Sequence, residues 1–159
     1  MERVARPPRP TGIRRVLFRL PILLYRARLG WLLGSRFVLI NHIGRRTGRQ
    51  RQVVVEVVER DPETGAVTVA AGFGKRTDWY RNLLAHPKAS IRLGNRRIEV
   101  RAAPLTAEQG AEVMVGYARR HPTAAKGLSR FMGFAVDGSV EDYRAAGREI
   151  PFLRLTPHT

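Results

Sequence analysis

With 159 residues, of which 43% are hydrophobic, the chain is long enough to bury the core of one domain, and disorder over its whole length is excluded. Its formal net charge of +16 favours an anionic partner, which is a nucleic acid, an anionic membrane or a multiply charged small molecule. The absence of cysteine excludes disulfides, thiol nucleophiles and cysteine-ligated metals, and because the four histidines lack metal-ligand spacing no metal site is predicted.

Much of the unbalanced charge lies in the N-terminal third, where residues 1–52 hold thirteen arginines and one acid, Glu2. Residues 1–12 are rich in proline and arginine and predict a disordered basic arm. Apolar residues on one helical face predict an amphipathic N-terminal helix at 13–34. Five arginines and an internal proline argue against a membrane span there. The helix either packs on the domain or lies on a membrane surface, and the sequence allows both.

The rest of the chain predicts a mainly β domain. Six segments rich in strand-forming residues predict strands: 36–43, 51–60, 66–73, 88–93, 96–105 and 150–155. Turn signals at 61–65 and 94–95 predict two hairpins. Helices are expected at 77–87, where Thr77 or Asp78 is the cap, and after a capping box at 106–109. Six antiparallel strands in sequential order predict an α+β, mainly β fold, in the form of a small barrel.

Two loops combine glycine with positive charge. "GRRTGRQRQ", residues 44–52, lies between two predicted strands, and "GFGKRTD", residues 72–78, follows another, so both are expected at one end of the barrel. Such loops are either solvated or bind an anion through backbone N–H groups and forked arginine side chains. Trp79 and Tyr80 follow directly and are suited to stacking against a planar ring.

These segments carry a family resemblance. "GRRTGRQR", followed by "AAGFGKRTDWYRNLLAHPKASIRLGNRR", resembles the deazaflavin-dependent nitroreductase family, whose members are split β-barrel oxidoreductases that use coenzyme F420. The similarity covers roughly residues 30–125. It implies that residues 35–159 form a split β-barrel that binds the coenzyme, with an N-terminal helix and short flanking helices. Because the coenzyme's tail of phosphate and glutamates is polyanionic, the resemblance also explains the arginine-rich loop.

The resemblance implies a set of coenzyme-binding residues. Its tail-binding positions fall on Arg45, Arg46, Thr47, Gly48 and Arg51. The loop that lines the coenzyme corresponds to Ala71, Gly72, Phe73, Gly74 and Lys75. The aromatic pair near the ring corresponds to Trp79 and Tyr80. For Trp79 the alternative is an anchor that holds its short helix in the core.

The substrate side departs from the family pattern. Glu56 stands where nitroimidazole-activating relatives carry a strand tyrosine, and His121 is present where they carry C-terminal tyrosines. Tyr117 and Tyr143 are interpreted as core or surface aromatics. The catalytic proton donor is left open among Glu56, Tyr80, His121 and water, since geometry decides proton transfer before residue type does.

The predicted activity is transfer of a hydride from reduced F420 to an electron-poor small molecule, such as a quinone, an enone or a nitro compound. The alternatives are an FMN- or heme-binding split barrel and a non-catalytic coenzyme carrier. Nucleic-acid binding is not expected because no recognition-helix or aromatic-platform motif occurs. We expect a cytoplasmic monomer or homodimer that makes peripheral contact with the inner face of an anionic membrane.

Overall fold

The structure is a computed structural model that describes most of the chain beyond the N-terminal segment. The described residues are 2–3, 22, 36–71, 74–131 and 133–158. Within the predicted basic arm only Glu2–Arg3 are described, and they form a short strand that pairs with Phe134–Ala135. The rest of the arm and nearly all of the predicted N-terminal helix lie outside the described residues. Within the described ranges, no helix has the length and apolar character needed to cross a membrane.

The described residues contain eight strands and four helices. The strands are β1 (Glu2–Arg3), β2 (Phe37–Ile43), β3 (Gln50–Arg60), β4 (Val67–Ala70), β5 (Lys88–Leu93), β6 (Arg96–Pro104), β7 (Phe134–Ala135) and β8 (Phe152–Pro157). The helices are α1 (Asp78–Ala85), α2 (Ala107–Arg120), α3 (Pro122–Phe131) and α4 (Val140–Glu149). All six predicted barrel strands and both predicted helices of the domain are present.

Six of the strands close into a barrel in the order β2–β3–β4–β8–β6–β5, and every neighbouring pair is antiparallel. The predicted α+β, mainly β barrel is confirmed, but the expected sequential order is wrong after β4, where the three remaining strands follow in reverse order. The C-terminal strand β8 enters between β4 and β6, and β5 pairs with β2 to close the barrel. Closure in this way leaves no exposed barrel edge.

Two helices, α3 and α4, were not predicted. Pro122 favours a break, yet it is the first residue of α3, where proline is tolerated because its missing N–H has no intrahelical partner. Ser139 caps α4 by accepting a hydrogen bond from the backbone of Asp142. Together with α2, these helices form a second apolar cluster against the barrel, which includes Val58 and Phe152.

The barrel core is built from the inward-facing residues of its strands. They include Val38, Ile40, Val67, Val69, Ile91, Val100, Leu153 and Leu155, each fully buried. Helix α1 adds Trp79, Tyr80 and Leu83 to the same cluster. The core therefore fixes α1 against the barrel, and α1 follows the second glycine-rich loop.

Helices α2 and α4 pack closely at a pair of glycines. A Cβ atom on Gly147 would overlap the backbone oxygen of Gly110, and a Cβ atom on Gly110 would overlap the backbone oxygen of Gly147. Because only glycine lacks a Cβ atom, glycine is needed at both positions for the two helices to approach as closely as they do.

Candidate functional site

The loop between β2 and β3 is held in shape by its own backbone. The N–H of Gly48 donates to the carbonyl of Gly44, and the N–H of Gly44 donates to that of Arg49, each at 2.8 Å. Gly48 has a φ of 68°, a left-handed conformation that favours glycine. The loop is thus an ordered turn, while the side chains of Arg46, Thr47 and most of its neighbours are exposed.

A small cavity of about 220 Å³ lies beside this loop, and we call it the basic cavity. Its lining residues come from the loop and from α1: Gly44, Arg45, Arg46, Thr47, Arg51, Asp78 and Asn82. Four of the five residues implied as tail-binding therefore meet at one place. The fifth, Gly48, does not line the cavity and instead makes the turn.

Arg45 is fixed by two side chains of α1 that the sequence reasoning missed. Its backbone N–H and its Nη1 donate to Asn82 Oδ1 at 3.1 and 2.8 Å, and its Nη2 lies 3.3 Å from Asp78 Oδ1. The Arg45 side chain is 17% exposed. Asp78 and Asn82 are four residues apart and share one helical face, which is the sequence signal that could have identified them.

His42 completes this network from the barrel side. Its Nδ1 lies 3.1 Å from Asn82 Nδ2, and the ring is buried. Because Asn82 Oδ1 accepts from Arg45, the amide nitrogen faces His42 and donates to it, which requires a neutral ring with an unprotonated Nδ1. Burial and the positive charge of Arg51 lower the pKa of His42 from 6.5 to about 4, although Asp78 opposes the shift.

A larger cavity of about 600 Å³ lies along β3, and we call it the apolar cavity. Most of its wall is aliphatic, and its polar members are Arg36, Glu56 and Thr77. The full lining is Arg36, Phe37, Val53, Val54, Val55, Glu56, Val58, Ala70, Thr77, Trp79, Ala124, Gly127 and Leu128. An apolar wall with a few polar groups is typical of a small-molecule site.

Glu56 is held on this wall by two partners. The hydroxyl of Tyr117 donates to Glu56 Oε1 at 2.7 Å, and Arg36 Nη2 lies 3.5 Å from the same oxygen. Burial, followed by the hydrogen bond to Glu56, raises the pKa of Tyr117 above its ordinary value. Tyr117 therefore keeps its proton and remains a hydrogen-bond donor.

The other sequence-predicted residues are distributed as follows. Trp79 belongs to the barrel core, as the core-anchor alternative expected, and it also lines the apolar cavity, while its contact with the coenzyme ring stays a prediction. Tyr80 is buried, its pKa is raised by burial, and it lines neither cavity. His121 is exposed at the end of α2, with its ring centroid 5.7 Å from that of Tyr117.

The second glycine-rich loop is described only in part. Gly72 and Phe73 lie outside the described residues. Ala71 and Gly74 are buried and Lys75 is exposed, and none of the three is among the residues that line either cavity. Gly74 has a φ of 88°, and its carbonyl accepts from the N–H of Thr77 at 3.1 Å, so residues 74–77 turn into α1.

Thr77 offers a polar atom to a ligand in the apolar cavity. It precedes α1, but its side chain makes no capping hydrogen bond. Its Oγ1 is buried, and within the part of the chain that the structure describes it has no hydrogen-bond partner. A buried hydroxyl without a partner is costly, which a bound polar group would relieve.

One short helix connects the two cavities. Asp78 and Asn82 of α1 line the basic cavity, and Trp79 of the same helix lines the apolar cavity. The pair of cavities suits a ligand that has a planar ring at one end and an anionic tail at the other. The residues present therefore fit a coenzyme of the deazaflavin type.

Comparisons with known proteins identify a family and a fold for the chain. The family model described as F420H(2)-dependent quinone reductase matches residues 24–136. The solved structure of an F420-H2 dependent reductase, FDR-A, is 22% identical, with 77% of this chain and 95% of that chain covered and a TM-score of 0.54. No curated protein sequence matches the chain.

Two further structures share the fold. A pyridoxamine 5'-phosphate oxidase-related, FMN binding protein from Nostoc punctiforme is 15% identical over 88% of this chain and 80% of its own, with a TM-score of 0.54. A chain described as a domain-swapped dimer is 20% identical over 85% of this chain and 98% of its own, with a TM-score of 0.52. At these identities the likeness shows the barrel fold alone.

The fold and the site define a split-barrel oxidoreductase, as the sequence predicted. The family match covers more than half of the chain, and the chain belongs to the F420H2-dependent quinone reductase family. It is an F420-dependent reductase, and its coenzyme is F420. The family matched is the quinone reductase family, so the nitroreductase name fits only loosely.

Proposed function

We propose that this protein transfers a hydride from reduced F420 to an electron-poor acceptor of the quinone, enone or nitro class. The observation that carries the proposal is the pair of cavities that α1 connects, one basic and one apolar. The basic cavity suits the coenzyme's anionic tail, and the apolar cavity suits the ring together with the acceptor. The protein acts in the cytoplasm as a monomer or homodimer.

Charge and shape assign the two ends of the coenzyme. Arg46 and Arg51 are exposed at the basic cavity and are available for charge-assisted pairing with phosphate or carboxylate. Arg45 is held in place by Asn82 and Asp78, so its orientation is set before a ligand arrives. Trp79 and the buried Thr77 hydroxyl, which both line the apolar cavity, would hold the ring, through apolar contact and a hydrogen bond respectively.

The chain's own residues bind, orient and keep water from the reacting atoms. When bound, the reduced deazaflavin supplies a hydride from its C5 atom. Of the three candidate proton donors, only Glu56 lines the apolar cavity, where its Oε1 accepts a hydrogen bond from Tyr117 and lies 3.5 Å from Arg36 Nη2. We therefore assign the proton to water and give Glu56 a role in orienting the acceptor.

Loop arginines provide the first test. Arg46→Ala and Arg51→Ala are each expected to weaken F420 binding by about 1–3 kcal/mol, because each removes a charge-assisted pair. Arg49→Ala is the matched control, since Arg49 is exposed in the same loop but does not line the basic cavity. Coenzyme fluorescence measures the affinity, with FMN as a comparison ligand.

Added salt should lower the affinity of the wild-type protein, because part of the attraction is between exposed charges. Equal affinities in all three variants would place the tail outside the basic cavity. Tighter binding of FMN than of F420 would instead support the FMN-binding alternative, and a Soret band in the purified protein would support the heme-binding one.

The predicted N-terminal helix supplies a proposed membrane contact. Residues 13–34 combine an apolar stripe with five arginines, and the preceding arm adds Arg3, Arg6 and Arg9. Basic residues near an anionic bilayer contribute about 1 kcal/mol each, and an apolar face adds burial. Reversible association with the inner face of the membrane would give the enzyme access to lipophilic acceptors such as quinones.

Sedimentation with anionic liposomes tests this contact. The full chain is expected to sediment with the vesicles, and a chain that begins at Ser35 is expected to stay in the supernatant. Circular dichroism of the shortened chain serves as the folding control. Equal behaviour of two folded chains would reject the membrane contact, whereas an unfolded shortened chain would place the helix in the domain core.

A further inference from the structure

The two carboxylate oxygens of Glu56 differ in their contacts, because Oε1 has partners within the protein and Oε2 can still accept a hydrogen bond from a ligand. Oε1 lies 2.7 Å from the Tyr117 hydroxyl and 3.5 Å from Arg36 Nη2. Among the described residues, none donates a hydrogen bond to Oε2. Because a carboxylate has about four lone-pair sites, the second oxygen keeps its capacity to accept. Glu56 thus places an acceptor on the wall of the apolar cavity.

Arg36 places a donor next to that acceptor. Its side chain lines the same cavity and is 66% exposed, so its guanidinium is accessible to a ligand. A guanidinium has five N–H groups that donate hydrogen bonds, and it has no hydrogen-bond acceptor. The backbone of Arg36 is fixed as well, since its carbonyl accepts from the N–H of Val57 at 2.8 Å. Donor and acceptor therefore lie side by side on a wall that is otherwise mostly apolar.

We infer that the Arg36–Glu56 pair selects acceptors in which a conjugated carbonyl stands next to an N–H or O–H group. The carbonyl accepts from Arg36, and the N–H or O–H group donates to Glu56 Oε2. Cyclic imides, unsaturated lactams and hydroxyenones have this arrangement. The inference rests on the proposed function and adds to it the part of the substrate that is recognised.

The preference follows from the cost of an unsatisfied group. An acceptor that offers only carbonyl oxygens gives Oε2 no donor, while it displaces the water that would otherwise satisfy this oxygen. A site arranged to accept from a substrate N–H or O–H discriminates against the analogue that lacks it. The Glu56 side chain is 35% exposed, so we expect a preference of about tenfold rather than the larger values of closed sites.

Tyr117 is the positioning residue of this pair. It is 1% exposed and packs in the helical cluster, so its hydroxyl is a fixed point from which Glu56 is oriented. Its hydrogen bond engages Oε1 and leaves Oε2 without a bond to Tyr117. Loss of the hydroxyl would let the carboxylate rotate and would reduce selection without removing the carboxylate.

Maleimide and N-methylmaleimide form a matched pair of probes. Reduction adds a hydride to one carbon of the C=C bond and a proton from water to the other, while the coenzyme is oxidised by two electrons. The two probes differ at the imide nitrogen, which carries a hydrogen in maleimide and a methyl group in N-methylmaleimide. Since the chain contains no cysteine, neither probe consumes a protein thiol.

The wild-type protein is expected to reduce maleimide with a kcat/KM about tenfold higher than that for N-methylmaleimide. In Glu56→Gln the amide oxygen takes the place of Oε1 and the NH2 group faces the ligand, so the ratio should fall to about one or invert. Tyr117→Phe should lower the ratio several-fold. Glu59→Gln, a substitution on the same strand outside the cavity lining, should keep the wild-type ratio.

Binding of the saturated products gives a readout that does not depend on turnover. Ligand-observed NMR should show tighter binding of succinimide than of N-methylsuccinimide to the wild-type protein, and equal binding of the two to Glu56→Gln. Equal kcat/KM values for the two maleimides, or equal binding of the two products to the wild type, would overturn the inference. Failure to bind F420 would instead count against the proposed function.

Discussion

Trp79→Ala is expected to lower the free energy of unfolding by about 3–5 kcal/mol, the usual cost of truncating a large aromatic side chain in a core. Trp79 is 9% exposed and belongs to the barrel cluster. Its ring makes an edge contact with Tyr80, with centroids 6.5 Å apart and an interplanar angle of 79°. Urea denaturation followed by circular dichroism measures the loss.

Because Trp79 also lines the apolar cavity, its alanine variant does not isolate a binding role. Trp79→Phe retains an aromatic ring in the core and is the matched control for stability. A smaller stability loss together with weaker F420 binding in the phenylalanine variant would support a contact with the coenzyme. A stability loss below about 1 kcal/mol in Trp79→Ala would contradict the core role.

Acidification from pH 6.5 towards pH 4 is expected to destabilise the protein through His42. The folded state holds the pKa of this ring at about 4, against 6.5 for an exposed histidine, so the unfolded chain binds the proton more readily within this interval. Stability therefore falls as the pH decreases through the window, by an amount on the order of 3 kcal/mol at most, and this contribution levels off below pH 4.

His42→Gln provides the comparison, because its carbonyl oxygen also accepts from Asn82 but does not titrate. Urea denaturation at several pH values should show a smaller loss for this variant between pH 6.5 and 4. The carboxylates make the same contribution to the pH dependence of stability in the wild type and the variant, so this contribution cancels when the two profiles are subtracted. Parallel pH profiles would show that the proton on His42 is not linked to folding.

The local pattern of the sequence predicted most of the barrel. β-Branched runs and turn residues fix strands and hairpins within short segments, and the capping box at Thr106 marks the start of α2 with both of its hydrogen bonds present. His86 and His121, each followed by proline, are the C-terminal caps of α1 and α2, since a residue before proline disfavours the helical conformation. The position of β8 between β4 and β6 depends on contacts between residues that are far apart in sequence, and the local hydrophobic pattern carries no information about such contacts.

For the candidate site, as for the barrel, the sequence predicted the local segments but not the contacts between distant ones. The arginine-rich loop and Trp79 carry local signatures and line the two cavities. The partners that orient them are distant in sequence: Asn82 is 37 residues from Arg45, and Tyr117 is 61 residues from Glu56. The sequence left Tyr117 as a core or surface aromatic, and the structure buries it, but no local pattern indicates that its hydroxyl donates to Glu56.

The glycine contact between α2 and α4 has a consequence for the evolution of selectivity. Helix α2 carries Tyr117, and its distance from α4 is set where Gly110 meets Gly147. A side chain at either glycine would move α2 and so shift the hydroxyl that anchors Glu56, without touching a residue of the cavity wall. Changes in acceptor preference are therefore open to substitutions at the contact between α2 and α4, outside the cavity lining, and a library confined to the lining would miss them.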